Sequence, residues 1–184
     1  MTVQSDRHDG ASLAGALAGD IAALSQARHH DPFAVLGLHR VGDAVHARAF
    51  SPGASAVTLI AGGESTRLHH LGDGFFARDI PQADRLIGQP SAYRLHIDWE
   101  SAVQDTHDAY GFGVQLQDSD LQAISAGNHP HLDHILGAHC VQVDGVEGVR
   151  FAVWAPNARR VSVIGDFNAW DGRRHPMRVH YSAG

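Results

Sequence analysis

The stretch Val149–Arg178, which reads VRFAVWAPNARRVSVIGDFNAWDGRRHPMR, decides the fold of this chain. Apolar and other residues alternate over 149–154, and a period of two predicts a β-strand. Pro156 interrupts the run, because proline has no N–H with which to extend a strand ladder. Alternation resumes over 161–165 and predicts a second strand. The stretch therefore predicts two strands joined by a turn.

A loop rich in turn-forming residues follows, with the sequence GDFNAWDG over 165–172. A flat aromatic ring beside amide and guanidinium groups suits sugar recognition. The ring stacks on the weakly polar C–H face of a glucose unit, and the polar groups bind its hydroxyls. Trp170, Asn168 and Arg173 are therefore the candidate sugar-binding residues.

An internal repeat places a related stretch earlier in the chain. Residues 45–60 align with residues 149–164 at a constant offset of 104, and identical residues fall at Val45, Pro52, Ala54, Val57 and Ile60. The first copy then continues as Ala61-Gly62-Gly63-Glu64, without the aromatic loop. The repeat predicts two tandem immunoglobulin-like β-sandwich modules. The first of them has lost the sugar-contacting aromatic or never had it.

The remaining sequence predicts one helix and several short strands. Apolar residues recur at helical spacing from residue 11 to about residue 28, at Leu13, Leu17, Ile21 and Leu24. Short apolar runs between turn signals predict five strands of the first module: Val45–Phe50, Ala56–Ala61, Phe75–Ile80, Ala92–Trp99 and Val103–Thr106. The fold class is mainly β, and the second module is incomplete.

Four segments follow from this pattern. We predict an N-terminal tail and amphipathic helix over 1–30 and a first β-sandwich over 31–117. A helical linker spans 118–140, with short helices near 120–126 and 131–136. The start of a second sandwich, a truncated carbohydrate-binding module, spans 141–184.

Five stretches of this chain resemble the N-terminal region of bacterial 1,4-alpha-glucan (glycogen) branching enzymes. They are DPFAVLG at 31–37, LGAH at 136–139, VEGVRFAVWAPNA at 146–158, GDFNAWDGR at 165–173 and HPM at 175–177. The last two together are specific to branching enzymes. The resemblance extends from about residue 24 to residue 178, and its C-terminal part is similar to a family-48-type carbohydrate-binding module.

The resemblance implies an enzyme that cuts an α-1,4-glucan chain through a covalent glycosyl intermediate and rejoins it by an α-1,6 bond. Its catalytic carboxylates are expected on a (β/α)8 barrel, which needs about 250 residues. A chain of 184 residues cannot hold the two modules and a barrel. We therefore expect a fragment that is inactive alone, with catalytic residues beyond Gly184. The expected partners are α-1,4-glucan or glycogen and the barrel domain, with no cofactor.

Charge, cysteine content and hydropathy argue against several other classes of function. A net charge of −6 argues against nucleic acid, because a duplex binder needs a basic surface. The single cysteine, Cys140, and the lack of a secretion signal predict a cytoplasmic protein. No apolar run approaches the length that spans a membrane, so no membrane partner is expected.

A cluster of potential metal ligands lies within twelve residues: His129, His131, His134, His139 and Cys140. Zinc sites use these residue types, but the spacing is irregular and paired cysteines are missing. No metal site is therefore predicted.

Other residues of the second module have competing interpretations. Asp166 and Asp171 are interpreted as turn formers rather than a catalytic carboxylate pair. Trp154 and Phe167 are predicted to belong to the core. The arginines could bind glucan hydroxyls or pair with the barrel, and the sequence leaves both roles open for Arg159, Arg160, Arg173 and Arg174.

Three functional hypotheses follow. The first is the glucan-positioning region of a branching enzyme. The second is a freestanding glycogen-binding module or regulatory partner, which predicts retention on glycogen without a barrel. The third is a structural spacer, which predicts no retention and no effect of Trp170→Ala.

Overall fold

The computed structural model describes residues 10–180, so residues 1–9 of the predicted tail lie outside the described range. The predicted amphipathic helix is present as two helical segments, α1, described over 10–16, and α2 (Ala18–Ser25). All four residues that predicted its apolar face are buried: Leu13, Leu17, Ile21 and Leu24. None of the helices in the described range has the length and apolarity needed to cross a lipid bilayer.

Two four-stranded antiparallel sheets follow, with strand orders β1-β2-β6-β5 and β4-β3-β7-β8. Their strands are β1 (Gly37–Val41), β2 (Ala44–Phe50), β3 (Ala56–Ala61), β4 (Glu64–Arg67), β5 (His69–Gly72), β6 (Phe75–Asp79), β7 (Tyr93–Asp98) and β8 (Val103–Thr106). The five predicted strands are β2, β3, β6, β7 and β8, each confirmed to within one residue. The unpredicted strands β1, β4 and β5 are sheet edges in which only Gly37 is fully buried, so they lack the apolar alternation.

The core of this first sandwich has two parts. Between the sheets, the inner faces of β2, β3, β6 and β7 bury a continuous apolar cluster: Val45, Ala47, Ala49, Val57, Leu59, Phe76, Tyr93, Leu95 and Ile97. On the outer face of the first sheet, Phe50, Phe75 and Ala77 pack against the buried side of α1 and α2. The helix thus belongs to the sandwich, because it covers the second apolar face of the sheet.

A second copy of this arrangement follows. We call residues 10–110 copy 1 and residues 118–180 copy 2. Copy 2 begins with α3 (Asp118–Ser125) and α4 (Leu132–Ile135) and continues into a two-stranded sheet of β9 (Gly137–Val143) and β10 (Val146–Ala152).

The helix ends of the two copies match atom by atom at an offset of 100. His29 Nε2 lies 3.2 Å from Asp20 Oδ1, and its Nδ1 accepts a bond from the backbone N–H two residues later. His129 repeats both contacts, with Asp120 at 3.3 Å. The turns after α2 and α3 also share three backbone hydrogen bonds, donated by residues 26–28 and 126–128. The predicted linker over 118–140 is therefore the second copy of 18–40, a relationship that its sequence alone did not reveal.

The hairpins of the two copies begin in the same way. Each starts at a glycine with a left-handed φ, +101° at Gly37 and +103° at Gly137, a conformation that favours glycine. Two residues later, His39 Nε2 donates to the Leu36 carbonyl at 2.8 Å, and His139 repeats this with the carbonyl of residue 136 at 2.9 Å. The hairpin β9–β10 is longer than β1–β2, which changes the offset from 100 to the 104 seen in the sequence.

The next hairpin keeps its register but loses part of its ladder. The predicted strand over 161–165 is wrong as a regular strand, since only an isolated bridge joins Ser162 to Pro176. Two backbone bonds of 2.9 Å flank that bridge, from Val163 N to His175 O and from Met177 N to Val161 O. These pairs match the β3–β4 register of copy 1, where Thr58 lies opposite Arg67. The repeat is therefore confirmed as two copies of one fold.

Copy 2 is incomplete within the described residues, which contain no counterpart of β6 and β7 for it. An open apolar cavity of about 760 Å³ lies where copy 1 has its core. The prediction that Trp154 and Phe167 are core residues is wrong here, because both are exposed. The prediction of a mainly β chain with an incomplete second sandwich is confirmed. The domain boundaries at 30, 117 and 140 stay predictions, and β9 already begins at Gly137.

Candidate functional site

The aromatic loop of copy 2 is an expanded version of a tight turn in copy 1. Six residues separate the paired positions Leu59 and Thr66, and eleven separate the equivalent pair Val163 and His175. The tip of the copy 1 turn is the dipeptide Gly62-Gly63, both with positive φ. The extra five residues of copy 2 build the candidate sugar-binding loop over 164–174.

Asn168 is the buried centre of this loop. Its side chain is 0% exposed, and its amide contacts three groups. The Oδ1 accepts from Gly165 N at 3.0 Å, while Nδ2 donates to Val163 O at 2.8 Å and lies 3.0 Å from His175 Nδ1. Because both ends of the amide are engaged, Asn168 ties the two sides of the loop together.

Trp170 projects from the loop with 63% of its surface exposed. Its indole Nε1 donates to Asp166 Oδ1 at 2.8 Å, and its backbone N–H donates to Gly165 O at 3.0 Å. Ala169 and Trp170 both adopt left-handed φ, +55° and +58°. That conformation costs about 1–2 kcal/mol for each non-glycine residue. The strained backbone lowers the stability of the loop, and the two hydrogen bonds hold the exposed Trp170 ring in one position.

Asp171 and Arg173 form a bidentate ion pair within the loop. The guanidinium Nε and Nη2 lie 2.9 Å and 2.6 Å from the two carboxylate oxygens. These hydrogen bonds lower the pKa of Asp171 below its usual value, so the carboxylate stays charged. The third nitrogen, Nη1, lies 3.5 Å from the carbonyl oxygen of Ser25, at the end of α2 in copy 1. Arg173 therefore connects the loop to the other copy.

Two further arginines, at the end of the loop and in the segment that follows it, contact aromatic rings of copy 1. The Arg174 guanidinium lies 4.2 Å from the ring centre of Trp99, and Arg178 lies 4.2 Å from that of Phe33. Arg178 Nη2 also donates to Phe112 O at 3.2 Å. Burial lowers the pKa of both arginines, although neither shift is enough to discharge a guanidinium at neutral pH. We call these two contacts the joint between the copies.

Most of the other residues that the sequence singled out in the second module also make contacts within the loop. Arg160 donates to the Gly172 carbonyl, so it braces the loop. Asp166 binds the Trp170 indole and Asp171 binds Arg173, and both therefore serve as loop-shaping groups. Phe167 lies edge-on to His175 and directly over Gly165, where an added Cβ would sit 2.7 Å from the ring.

The histidine cluster of copy 2 is used for structure. His129 and His139 make the contacts that both copies share, and His131 stacks on His134 with 5.3 Å between ring centres. Cys140 is free and exposed. Within residues 10–180, no three His, Cys, Asp or Glu side chains form a group that could hold a metal ion.

Sequence reasoning found the loop but missed two of its supports. The hydrogen bond from the Trp170 indole to Asp166 joins residues four apart, and the sequence indicated Asp166 only as a turn residue. The joint contacts, Arg178 on Phe33 and Arg174 on Trp99, join residues far apart in the chain and left no local pattern. The tetrapeptides Leu-Gly-Leu-His at 36–39 and Leu-Gly-Ala-His at 136–139 were a signal that could have extended the repeat.

Comparison with known proteins gives two family matches. Residues 18–110 match a model described as the alpha-1,4-glucan branching enzyme GlgB N-terminal domain. Residues 135–184 match a model described as carbohydrate-binding module 48, the isoamylase N-terminal domain. The two matches fall on copy 1 and on the hairpins of copy 2.

Individual relatives agree with these models. A 1,4-alpha-glucan branching enzyme of Xanthomonas oryzae pv. oryzae is 49% identical over 90% of this chain and 22% of its own length. Another from Rhizobium johnstonii is 48% identical over 94% of this chain and 23% of its own length. A solved pullulanase type I from Bacillus subtilis, complexed with maltose, covers 71% of this chain and 14% of its own, at 19% identity and a TM-score of 0.34. That last similarity is too low to support an argument.

The chain thus spans less than a quarter of the length of the relatives it matches. The GlgB model covers just over half of the chain, through the helix and both sheets of copy 1. The chain therefore belongs to the family of alpha-1,4-glucan branching enzyme GlgB N-terminal domains.

Proposed function

We propose that this chain binds α-1,4-glucan through the exposed ring of Trp170. The single observation that carries the proposal is an indole that is 63% exposed and fixed by its own Nε1 bond to Asp166. A stacking surface that is already fixed loses little conformational entropy when a sugar ring settles on it. The match to carbohydrate-binding module 48 supports the same ligand class.

The other two candidate residues have different roles in this proposal. Asn168 positions the loop, because its buried amide has no exposed surface that could reach a sugar hydroxyl. Arg173 belongs to the same loop and keeps 40% of its side chain exposed, so it can contact the sugar while its fork holds Asp171. The ring provides the apolar contact, and Arg173 provides an exposed cation from the same loop.

For the whole protein, we propose a cytoplasmic enzyme that makes α-1,6 branches in glycogen by retaining transfer. Relatives several times longer that are named as branching enzymes support this. Catalysis would rest on residues outside this chain, on a barrel domain that these modules contact. The chain alone should leave the iodine colour of amylose unchanged, and a fall in that colour would contradict this assignment.

Affinity electrophoresis in gels containing glycogen tests the binding role. We expect the wild-type chain to be retarded and Trp170→Ala to migrate as in a gel without glycogen. Stacking of a flat ring on an aromatic side chain is worth about 1–3 kcal/mol for nucleic-acid bases, and a contribution of that size would make the loss about 5- to 150-fold in affinity. Trp154→Ala is the matched control, because it removes another exposed tryptophan outside the loop. Equal retardation of Trp170→Ala and wild type would reject the proposal and favour a structural spacer.

A further inference from the structure

A stacked ring alone leaves the hydroxyls of the sugar without protein partners. Three polar side chains of the loop already make hydrogen bonds within it. Asn168 is buried, Asp166 holds the Trp170 indole, and Asp171 is held by Arg173. A site that distinguishes one glucan chain from another therefore needs polar groups from a neighbouring part of the molecule.

The neighbour is the turn at the end of α2 in copy 1. Arg173 reaches it directly, with Nη1 3.5 Å from the Ser25 carbonyl. Gln26 and Arg28 follow in that turn, both exposed, and the Arg28 guanidinium donates to the Gln26 amide oxygen. The turn is held by backbone bonds from residues 26–28 to residues 22–24 and by the Asp20–His29 contact. The two side chains therefore stand on a rigid support.

The matching turn of copy 2 lacks this pair. Ala126 and Asn128 occupy the positions of Gln26 and Arg28, although the backbone bonds are the same. The polar pair is consequently a property of the one turn that Arg173 contacts, and the shared fold does not require it. Copy 2 provides a natural comparison for its removal.

We propose that the glucan-binding surface is shared between the copies, running from Trp170 past Arg173 onto Gln26 and Arg28. The ring holds one glucose unit, and the amide and guanidinium of the α2 turn donate to hydroxyls of units further along the chain. The ligand class is therefore an α-1,4-glucan chain of several units rather than a mono- or disaccharide. This inference rests on the binding role proposed for Trp170.

Isothermal titration of the full chain with maltose and with maltoheptaose tests the shared surface. The double variant Gln26→Ala, Arg28→Ala should lose about fivefold to tenfold in affinity for maltoheptaose, as expected for the loss of one ordinary net hydrogen bond. Its affinity for maltose should not change. Asn128→Ala, the equivalent position in copy 2, should match the wild type with both sugars.

Three results would separate the inference from the binding role on which it rests. If Trp170→Ala abolishes binding while the double variant keeps full affinity for maltoheptaose, the shared surface is wrong and the binding role stands. If the double variant weakens maltose as much as maltoheptaose, the pair lies at the ring itself and the inference fails. If Trp170→Ala binds both sugars normally, the binding role fails.

Amide NMR gives a second measurement that needs no variant. Signals of residues 26–28 should shift on addition of maltoheptaose and stay in place with maltose, while loop signals shift with both. Signals of the α2 turn that ignore both sugars would also overturn the proposal.

Discussion

Copy 1 and copy 2 share backbone hydrogen bonds, but the apolar face that is buried in copy 1 is exposed in copy 2. Each has an Asp–His contact at a helix end, a Leu-Gly-x-His start to its hairpin and a proline turn before its next hairpin. Phe50 is 6% exposed, whereas Trp154 at the equivalent position is 41% exposed. Local hydrogen bonding therefore sets the path of the chain even where the apolar face is uncovered.

The second contrast lies in the loops. Copy 1 closes its hairpin with two glycines, and copy 2 uses five more residues to present Trp170. The expansion is possible because Asn168 replaces the lost ladder bonds with side-chain bonds of its own. The longer loop is therefore accommodated without disturbing the register beneath it.

The largest effect should come from truncating the equivalent aromatics. Phe50→Ala should destabilise copy 1 by about 3–5 kcal/mol, because it leaves a cavity against α2 and Phe75. Trp154→Ala should cost copy 2 less than about 1 kcal/mol, since its ring is largely exposed. Native-state hydrogen exchange measures each copy separately. Similar losses at the two positions would mean that the copy 2 face is covered in solution.

Asn168→Ala should loosen the loop of copy 2, because this side chain supplies the bonds that the short turn of copy 1 does not need. It leaves the N–H of Gly165 and the carbonyl of Val163 without their partner, at a cost of about 1–3 kcal/mol. We expect faster hydrogen exchange over 163–175 and weaker retention on glycogen. Asn157→Ala, at an exposed asparagine of the preceding turn, serves as the control. Unchanged exchange in the loop would show that Asn168 does not hold it.

Removing a contact of the joint tests whether the stability of the copy 2 hairpin depends on copy 1. Arg174→Gln removes a cation over the Trp99 ring, which is worth about 0.5–1 kcal/mol at a partly exposed site. Protection of 173–178 against hydrogen exchange should fall, while β9 and β10 should be unaffected. Arg159→Gln, an exposed arginine of the same hairpin, should change neither. Equal protection in both variants would mean that the hairpin is held by its own contacts.

The smallest effect should be a pH dependence of the copy 2 loop. Burial, and then the nearby Arg174, hold the pKa of His175 below its usual value. The unfolded chain therefore takes up a proton near pH 6.5 and the folded loop does not, so stability is lost as pH falls below about 6.5. Position 66 in copy 1 is a threonine and cannot titrate.

We expect protection of the 161–177 hairpin to fall between about pH 7 and pH 5, after correction for intrinsic exchange rates. His175→Gln should abolish that dependence because it retains a polar side chain that does not titrate in this range. A hairpin in His175→Gln that weakens with acid as much as the wild type would assign the effect to another group.

Much of the fold could be predicted from single residues and their spacing. Four apolar residues gave the helix, and apolar alternation gave the central strands within one residue. The edge strands β1, β4 and β5 escaped, because a strand with exposed faces carries little hydrophobic signal. The helical linker was missed as a repeat because only about a third of its positions are identical to 18–41, and its matching contacts are hydrogen bonds that leave no apolar pattern in the sequence.

The sequence by itself determined the periodicity, the turns and the aromatic loop, because these depend on residues that are neighbours in the chain. It also marked Trp170 as the candidate stacking ring. Tertiary structure alone decided that Asn168 is buried, that Trp154 is exposed and that Arg173 reaches Ser25. The burial of Asn168 depends on how the loop closes around it, and the contact of Arg173 depends on two surfaces that meet across more than a hundred residues. Local pattern carries no record of either.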